Sequence, residues 1–165
     1  MAQNVAWIHE IYRPGVKMLL WAHDTHVSRG DHPIPDNNIY GGITMGAHLS
    51  KRYGPVYKSF GISSYEGAYL GFLNYQRYDK TYSCPLIASP RGTIEEVLHR
   101  FGKTMKKDLL FLNLVKGRKE AWLSEPLYVR FANHVNMEFA FPKYSVPFSF
   151  DGIFFIDKTT PAKGY

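Results

Sequence analysis

VKMLLWAHDTHVSRG, residues 16–30, runs from an apolar segment directly into a cluster of polar and charged side chains. The apolar part, residues 16–21, predicts a buried strand. Two imidazoles, His23 and His26, follow it, with a carboxylate between them and Arg29 three residues further on. In α/β proteins, active-site loops gather at the carboxyl ends of strands, because the strand fixes the root of the loop while the loop stays reachable. The stretch therefore predicts an α/β fold with a reactive loop at this strand end.

The length and composition fit one domain. With 165 residues, 45% of them hydrophobic, the chain can bury one substantial core, so residues 1–165 are expected to form a single domain. No run approaches the roughly 20 apolar residues of a membrane span, and the first residues lack the basic and apolar regions of a signal peptide. A single cysteine, Cys84, excludes an internal disulfide framework and favours a reducing compartment. We therefore expect a cytoplasmic protein with no membrane partner.

The charge pattern gives no sign of a nucleic-acid partner. The formal net charge is +6, and the basic residues are spread along the chain, with local density only at residues 103–107 and 116–119. Such density is typical of a solvated face, and no DNA- or RNA-binding motif accompanies it. Aromatic residues make up 16% of the chain, and most are expected in the core.

Helical and strand patterns alternate along the sequence. Apolar spacing and stop signals predict helices over residues 2–12 and 42–53. A capping box at Thr93 begins a third helix that runs to about Phe101. Strands are predicted over residues 16–21, 56–62, 68–77, 109–115 and 150–156, with shorter candidates at 128–131 and 138–141. The pattern indicates an α/β fold with a mixed β-sheet flanked by helices.

Six motifs occur in an order that points to a known family. They are MAxNVxWI at residues 1–8, KxLLWAHDTHVSRG at 17–30, MGxHLxxRYG at 45–54, YxxxGI at 57–62, EG at 66–67 and FDGIFFI at 150–156. In this order and approximate spacing they resemble the erythromycin esterase family. The resemblance covers nearly the whole chain and is densest in the first seventy residues. It implies the layered α/β fold of that family.

The resemblance also implies a chemistry. It implies hydrolysis of a carboxylic ester, in the best-known members a macrolide lactone in antibiotic resistance, by direct attack of an activated water and without a covalent acyl-enzyme. No cofactor is expected, with a divalent metal as the alternative. His23 and His26 match the family's paired active-site histidines, which orient the water or stabilise the tetrahedral oxyanion. Glu66 matches a carboxylate at the cleft, and Arg29 and Asp24 are candidates for binding the substrate or its oxyanion. The implied partner is a small-molecule ester or lactone.

One family motif does not occur in this sequence. Family members are longer, and their first half carries a Gly-Glu-[Ser/Thr]-His motif whose histidine is regarded as the general base. The chain therefore resembles the C-terminal part of a larger esterase-like domain, and whether it is active alone stays open. Half of a shared core would expose apolar edges, which favours a homo-oligomer. The alternative is a catalytically inert binding or assembly module with an aromatic, basic surface.

Other chemistries are weaker interpretations of the same residues. His23 and His26 with Asp24 or Glu66 could bind zinc or manganese, but a His-x-x-His spacing alone is a weak metal signal. Without the resemblance, Glu66 is a solvated turn carboxylate. A serine nucleophile at Ser63 is rejected, because the glycine that a nucleophile elbow requires does not follow it.

Overall fold

The computed structural model describes residues 1–12, 15–30, 44–71, 82–130, 141 and 143–162. The chain forms two compact units. The first comprises Met1–Gly61, Asn113–Pro126 and Tyr144–Gly152, and the second comprises Ile62–Leu112, Leu127–Lys143 and Ile153–Tyr165. Whether residues 1–165 act as one domain stays a prediction.

Helices and strands alternate through the described residues. In chain order they are α1 (Ala2–Trp7), a π-helical turn (Ile8–Tyr12), α2 (Asp24–Val27), α3 (Met45–Tyr53), a 3₁₀ turn (Gly54–Val56), β1 (Phe60–Gly71), β2 (Tyr82–Leu86), α4 (Ile94–Met105), β3 (Leu109–Asn113), α5 (Leu114–Gly117), α6 (Ala121–Ser124), β4 (Leu127–Tyr128), β5 (Lys143–Tyr144), α7 (Val146–Ser149) and β6 (Gly152–Thr159). The predicted helices at 2–12 and 42–53 are confirmed over their described residues.

A four-stranded sheet has the order β2-β1-β6-β3. β1 and β2 are antiparallel, with Gly67 opposite Leu86 and Gly71 opposite Tyr82. Gly67 lies against the other neighbour, β6, where an added Cβ would lie 2.2 Å from the Thr159 carbonyl oxygen. The positive φ of 130° at Gly67 is a second reason for glycine there. The predicted α/β fold with a mixed sheet and flanking helices is confirmed.

Helix α4 begins where the sequence predicted it. The Thr93 hydroxyl accepts a hydrogen bond from the Glu96 amide at 3.2 Å, which satisfies one of the free N–H groups of the first turn. The helix runs past the predicted end and stops at Lys106, which takes the left-handed conformation with φ 55°. Ile94 and Leu98 on its buried face join Phe155 of β6 in the core of the second unit.

The predicted strand at residues 16–21 is wrong. These residues belong to no strand or helix. Leu19 is 88% exposed and Trp21 is 84% exposed. An apolar run supplies side chains that favour burial, but a strand also needs a neighbour for its backbone N–H and C=O groups. Periodicity within one segment cannot show whether that neighbour exists.

Two further predictions along the sheet need correction. One strand, β1, takes the place of the strands predicted at 56–62 and 68–77, because residues 63–67 continue the strand instead of forming a turn. Val56 lies in the 3₁₀ turn and residues 57–59 in no element, whereas residues 72–77 fall outside the described residues. Strand β2 was not predicted, since Pro85 lies inside it; proline is tolerated in a sheet at an edge, which is where β2 lies. The candidate at 138–141 falls almost wholly outside the described residues.

The first unit has its own buried side chains. The apolar ones come from six of its helices and the segment before β6, namely Ala6, Val27, Leu49, Leu114, Leu123, Val146 and Phe150. None of the helices among the described residues has the length and apolar character needed to cross a membrane.

Candidate functional site

The two predicted histidines lie on the one-turn helix α2 in the first unit. His23 is the N-cap, and its Nδ1 accepts a hydrogen bond from the Thr25 amide at 3.3 Å. His26 is the third of the four residues of α2, and its amide donates to the His23 carbonyl at 2.8 Å. Both imidazoles are exposed, and Asp24 is half-buried between them. The turn therefore presents two imidazoles to solvent from one rigid backbone segment.

Hydrogen bonds to backbone carbonyls fix the C-terminal end of this histidine turn. The Tyr57 hydroxyl and the Ser59 hydroxyl both donate to the Val27 carbonyl at 2.7 Å. The Thr44 hydroxyl donates to the Ser28 carbonyl at 2.6 Å. The last carbonyls of a helix have no partner within it, so these side chains satisfy groups that would otherwise be buried and unpaired. Burial raises the pKa of Tyr57, which keeps it a hydroxyl donor.

Arg29 follows the turn and forms a partly buried ion pair. Its Nη1 lies 3.0 Å from both carboxylate oxygens of Asp151. The Arg29 side chain is 16% exposed and the Asp151 side chain 7% exposed. Asp151 also accepts a hydrogen bond from the Ser59 amide at 2.9 Å, and Lys58 Nζ lies 3.8 Å from it. The backbone amide of Arg29 is held as well, by the Ser149 carbonyl at 3.0 Å.

Glu66 lies in the second unit, within strand β1 and not in a turn. Its side chain is 41% exposed, and its Oε1 lies 4.0 Å from the Lys158 ammonium. An ion pair at that distance and exposure contributes little to stability. His23, Asp24, His26 and Arg29 thus share the first unit, and Glu66 belongs to the other.

The second unit contains a cluster that the sequence did not single out. The His99 Nδ1 lies 2.5 Å from Asp157 Oδ1, and Lys103 Nζ donates to Asp157 Oδ2 at 2.7 Å. The Tyr65 ring stacks on the His99 ring at 3.8 Å between centroids. Burial acts to raise the pKa of Asp157, but the hydrogen bonds from Lys103 and His99 outweigh it and lower that pKa. These residues come from three elements, so no local motif could have grouped them.

A buried carboxyl group lies at the start of α4. Glu95 is fully buried, and its Oε1 accepts hydrogen bonds from the Ser63 hydroxyl at 2.6 Å and the Arg130 amide at 2.9 Å. Burial raises the pKa of Glu95 against the effect of these donors. The Arg130 guanidinium is occupied by the carbonyls of Ser64, Tyr65 and Ile87. Glu95 and Arg130 therefore fasten α4 to β1.

The residues that the structure describes contain no group of three or more His, Cys, Asp or Glu side chains that could hold a metal ion. A metal at His23 and His26 therefore stays an untested alternative. Sequence reasoning did not single out Asp151, the partner of the candidate residue Arg29. Asp151 lies in the FDGIFFI motif, but its role depends on contacts with residues 92 and 122 positions earlier.

Comparison with known proteins points to one family. The model of the erythromycin esterase family matches residues 1–159. A proposed hydrolase of Bacillus subtilis (strain 168), YbfO, is 21% identical over 166 residues, which cover 98% of this chain and 34% of YbfO. The chain thus spans about a third of the length of the curated relative that it matches.

Solved structures show the same fold. A protein from Bacillus cereus is 24% identical, with a TM-score of 0.75 over 99% of this chain and 38% of its own. A succinoglycan biosynthesis protein is 20% identical, with a TM-score of 0.72 over 96% of this chain and 37% of its own. A mutant of erythromycin esterase EreC in its open conformation is 16% identical, with a TM-score of 0.64 over 99% of this chain and 36% of its own. At these identities the likeness concerns the fold alone.

Proposed function

Because the chain belongs to the erythromycin esterase family, we propose that it contributes the histidine turn of a hydrolase that cleaves a carboxylic ester or lactone. His23 and His26 orient or activate the attacking water. The observation that carries the proposal is the construction of the turn: two exposed imidazoles stand on a backbone whose last carbonyls are held by Tyr57, Ser59 and Thr44. A catalytic base needs this fixed position, because small displacements of a reacting group lower the rate sharply.

Arg29 is the candidate for charge stabilisation. Ester hydrolysis through a tetrahedral intermediate places negative charge on the former carbonyl oxygen, and a guanidinium near that oxygen stabilises the charge. Arg29 lies three residues after His26 and pairs with Asp151. Asp24, between the imidazoles in sequence, is the second candidate for substrate contact. Glu66 is proposed to orient a histidine or arginine of the complete site.

A second candidate function is a binding or assembly module without chemistry of its own. The observation that favours it is the exposed apolar surface of the first unit, where Leu19, Trp21 and Val56 are all more than 75% exposed. The Gly-Glu-[Ser/Thr]-His motif does not occur in the sequence, and this is consistent with a chain that lacks the general base. A module of this kind would bind a partner and leave esters intact.

Hydrolysis assays distinguish the two candidates. The chain would be incubated with simple carboxylic esters, a macrolide and an amide control, with and without a chelator. The hydrolase proposal expects cleavage of at least one ester or lactone by the wild-type chain. Loss of that activity with chelator would support the metal alternative. Cleavage that persists in the His23→Ala, His26→Ala double variant would contradict the proposed role of the turn.

A matched control exists on helix α3. His48 is exposed like His23 and His26, but it lies outside the turn. The His48→Ala variant is therefore expected to hydrolyse at the wild-type rate. A folded wild-type chain that cleaves no substrate would favour the binding module, or a site completed by residues that this chain lacks. Addition of a polypeptide that carries the Gly-Glu-[Ser/Thr]-His motif would separate these two outcomes.

A further inference from the structure

One nitrogen of the Arg29 guanidinium has no acceptor among the described residues. Its Nη1 pairs with Asp151, whereas its Nη2 is buried and makes no hydrogen bond within the part of the chain that the structure describes. A buried donor without an acceptor is costly, so native proteins rarely keep one without a reason. Because this donor belongs to a cation, the free-energy cost of burying it without an acceptor is larger than for a neutral group.

The orientation of Arg29 comes from Asp151. Asp151 is buried, and its own position is fixed by two backbone contacts with Ser59: the Ser59 amide donates to its carboxylate at 2.9 Å, and its own amide donates to the Ser59 carbonyl at 2.7 Å. The same Ser59 donates its hydroxyl to the Val27 carbonyl of the histidine turn. A single residue therefore connects the carboxylate that holds Arg29 with the backbone that holds the imidazoles.

We propose that Asp151 is a positioning residue: it holds one end of the Arg29 guanidinium and thereby directs the Nη2 donors to a carboxylate or oxyanion ligand. A guanidinium suits such a ligand because its N–H groups lie in one plane and match the two oxygens of a carboxylate. The inference rests on the proposed function, since hydrolysis of an ester generates first an oxyanion and then a carboxylate product. It adds the class of ligand and the residue that prepares the site for it.

The charge balance agrees with an anionic ligand. Within the first unit, Asp151 faces Arg29 and also Lys58, whose ammonium lies 3.8 Å from its Oδ1. One buried carboxylate is thus shared by two cations. A further negative charge at Arg29 would complete the pairing, whereas a cationic ligand would meet repulsion.

Acetate is the probe, because it is a small carboxylate and resembles the product of a simple ester. The side-chain ¹⁵N resonances of Arg29, assigned by comparison with the Arg29→Lys variant, would be followed as sodium acetate is added. Sodium chloride at the same ionic strength corrects for general screening. The proposal expects a saturable acetate-dependent shift at Arg29 in the wild-type chain. A response no larger than that to chloride would overturn it.

Variants test the part that Asp151 plays. Asp151→Asn keeps an oxygen for the Ser59 amide but removes the charge that holds Arg29, so acetate affinity is expected to fall about tenfold or more. Asp157→Asn is the matched control: Asp157 is also a buried aspartate paired with a cation, and its partners are His99 and Lys103 of the second unit. Acetate affinity in this control is expected to match the wild type. Equal affinity in Asp151→Asn and wild type would overturn the proposal.

A second variant covers loss of folding. If circular dichroism shows that Asp151→Asn is unfolded, Arg29→Lys decides, because lysine keeps a cation beside Asp151 but lacks the planar N–H donors. Acetate binding to this variant, followed at the backbone amides of the histidine turn, is expected to be lost, and wild-type affinity would contradict the proposal. Binding is measured without turnover. A chain that binds acetate normally but hydrolyses no ester would therefore contradict the proposed function and leave the role of Asp151 supported.

Discussion

At Gly46 the packing leaves no room for a side chain. A Cβ built there would lie 2.2 Å from the Val27 carbonyl oxygen and 2.3 Å from that of Ser28. Those two carbonyls end the histidine turn and accept the hydrogen bonds that hold it. The MGxHLxxRYG motif thus has a physical reason for glycine at this position: helix α3 approaches the backbone of the turn directly.

We predict that Gly46→Ala moves the histidine turn and destabilises the chain. The expected loss in the free energy of unfolding is about 1–3 kcal/mol, because the added methyl group forces a backbone shift in a packed region. Urea denaturation followed by circular dichroism measures it. Ser50→Ala on the same helix is the control and is expected to change stability by less than about 0.5 kcal/mol. Equal stability of Gly46→Ala and wild type would show that the close approach is absent in solution.

The Asp157 carboxyl predicts a specific dependence of stability on pH. Burial acts to raise its pKa, but the hydrogen bonds from Lys103 and His99 prevail, so the pKa in the folded chain lies below its ordinary value of 3.8. A carboxyl group whose pKa is lower in the folded than in the unfolded chain stabilises the fold. This contribution is complete above the pKa of the unfolded chain and is lost as the pH falls through the pKa of the folded chain. Asp157→Asn is therefore expected to lower stability at neutral pH by about 1.5–3 kcal/mol and to flatten its decline below about pH 4.

Urea denaturation across a range of pH tests this dependence. Asp108→Asn is the control, since that carboxylate is 86% exposed and lies 3.9 Å from the same Lys103 ammonium. Exposed ion pairs contribute little, so its stability profile should follow the wild type. A profile for Asp157→Asn that runs parallel to the wild type in acid would contradict the pKa direction.

At the scale of elements, local signals predicted the helices better than the strands. Thr93 as the cap of α4 and the stop at Gly54 after α3 depend on side chains within a few residues, and both are observed. The strands at 16–21, 56–62 and 68–77 were placed from apolar pattern and turn residues alone. Whether a segment forms a strand depends on a partner strand, and that partner is often far away in the sequence. β1, for example, lies between β2 and β6. The candidate site also combines a local and a distant signal. The histidines form a motif within a few residues, whereas Asp151 is connected to them only in the folded chain, through Ser59.

The cap of α4 gives a prediction at this scale. Thr93→Ala removes the hydroxyl that accepts from the Glu96 amide, and the expected loss is about 1 kcal/mol in the free energy of unfolding. Thr104→Ala on the same helix is the control: its hydroxyl donates back to the Arg100 carbonyl, which contributes nothing to helix stability. Chemical denaturation of both variants measures the difference. A loss of the same size at both positions would contradict the capping role.

At the scale of the whole molecule, the exposed apolar surface of the first unit is the dominant feature. The segment from residue 16 to 21 carries large, exposed apolar side chains and belongs to no strand or helix. The relatives of known structure are longer, and this chain corresponds to 36–38% of each of them. An exposed apolar segment that is not paired into a sheet favours association with another polypeptide.

We predict that the wild-type chain self-associates with increasing concentration. Light scattering coupled to size-exclusion chromatography measures the mass. Leu19→Glu with Trp21→Glu is expected to shift the chain toward the monomer, because the charges oppose burial of the segment. Phe148→Glu, at a similarly exposed apolar residue of the same unit, is the control and should leave the mass unchanged. A wild-type chain that stays monomeric and unfolds cooperatively at high concentration would contradict the prediction.

The most direct test of the central claim is the rate of ester hydrolysis by the wild-type chain against the His23→Ala, His26→Ala double variant. General acid–base catalysis contributes about 10²–10⁴-fold, so kcat/KM is expected to fall by at least about a hundredfold while the fold is retained. The His48→Ala variant should keep the wild-type value. A double variant that hydrolyses the same ester as fast as the wild type would show that the histidine turn does not carry the chemistry.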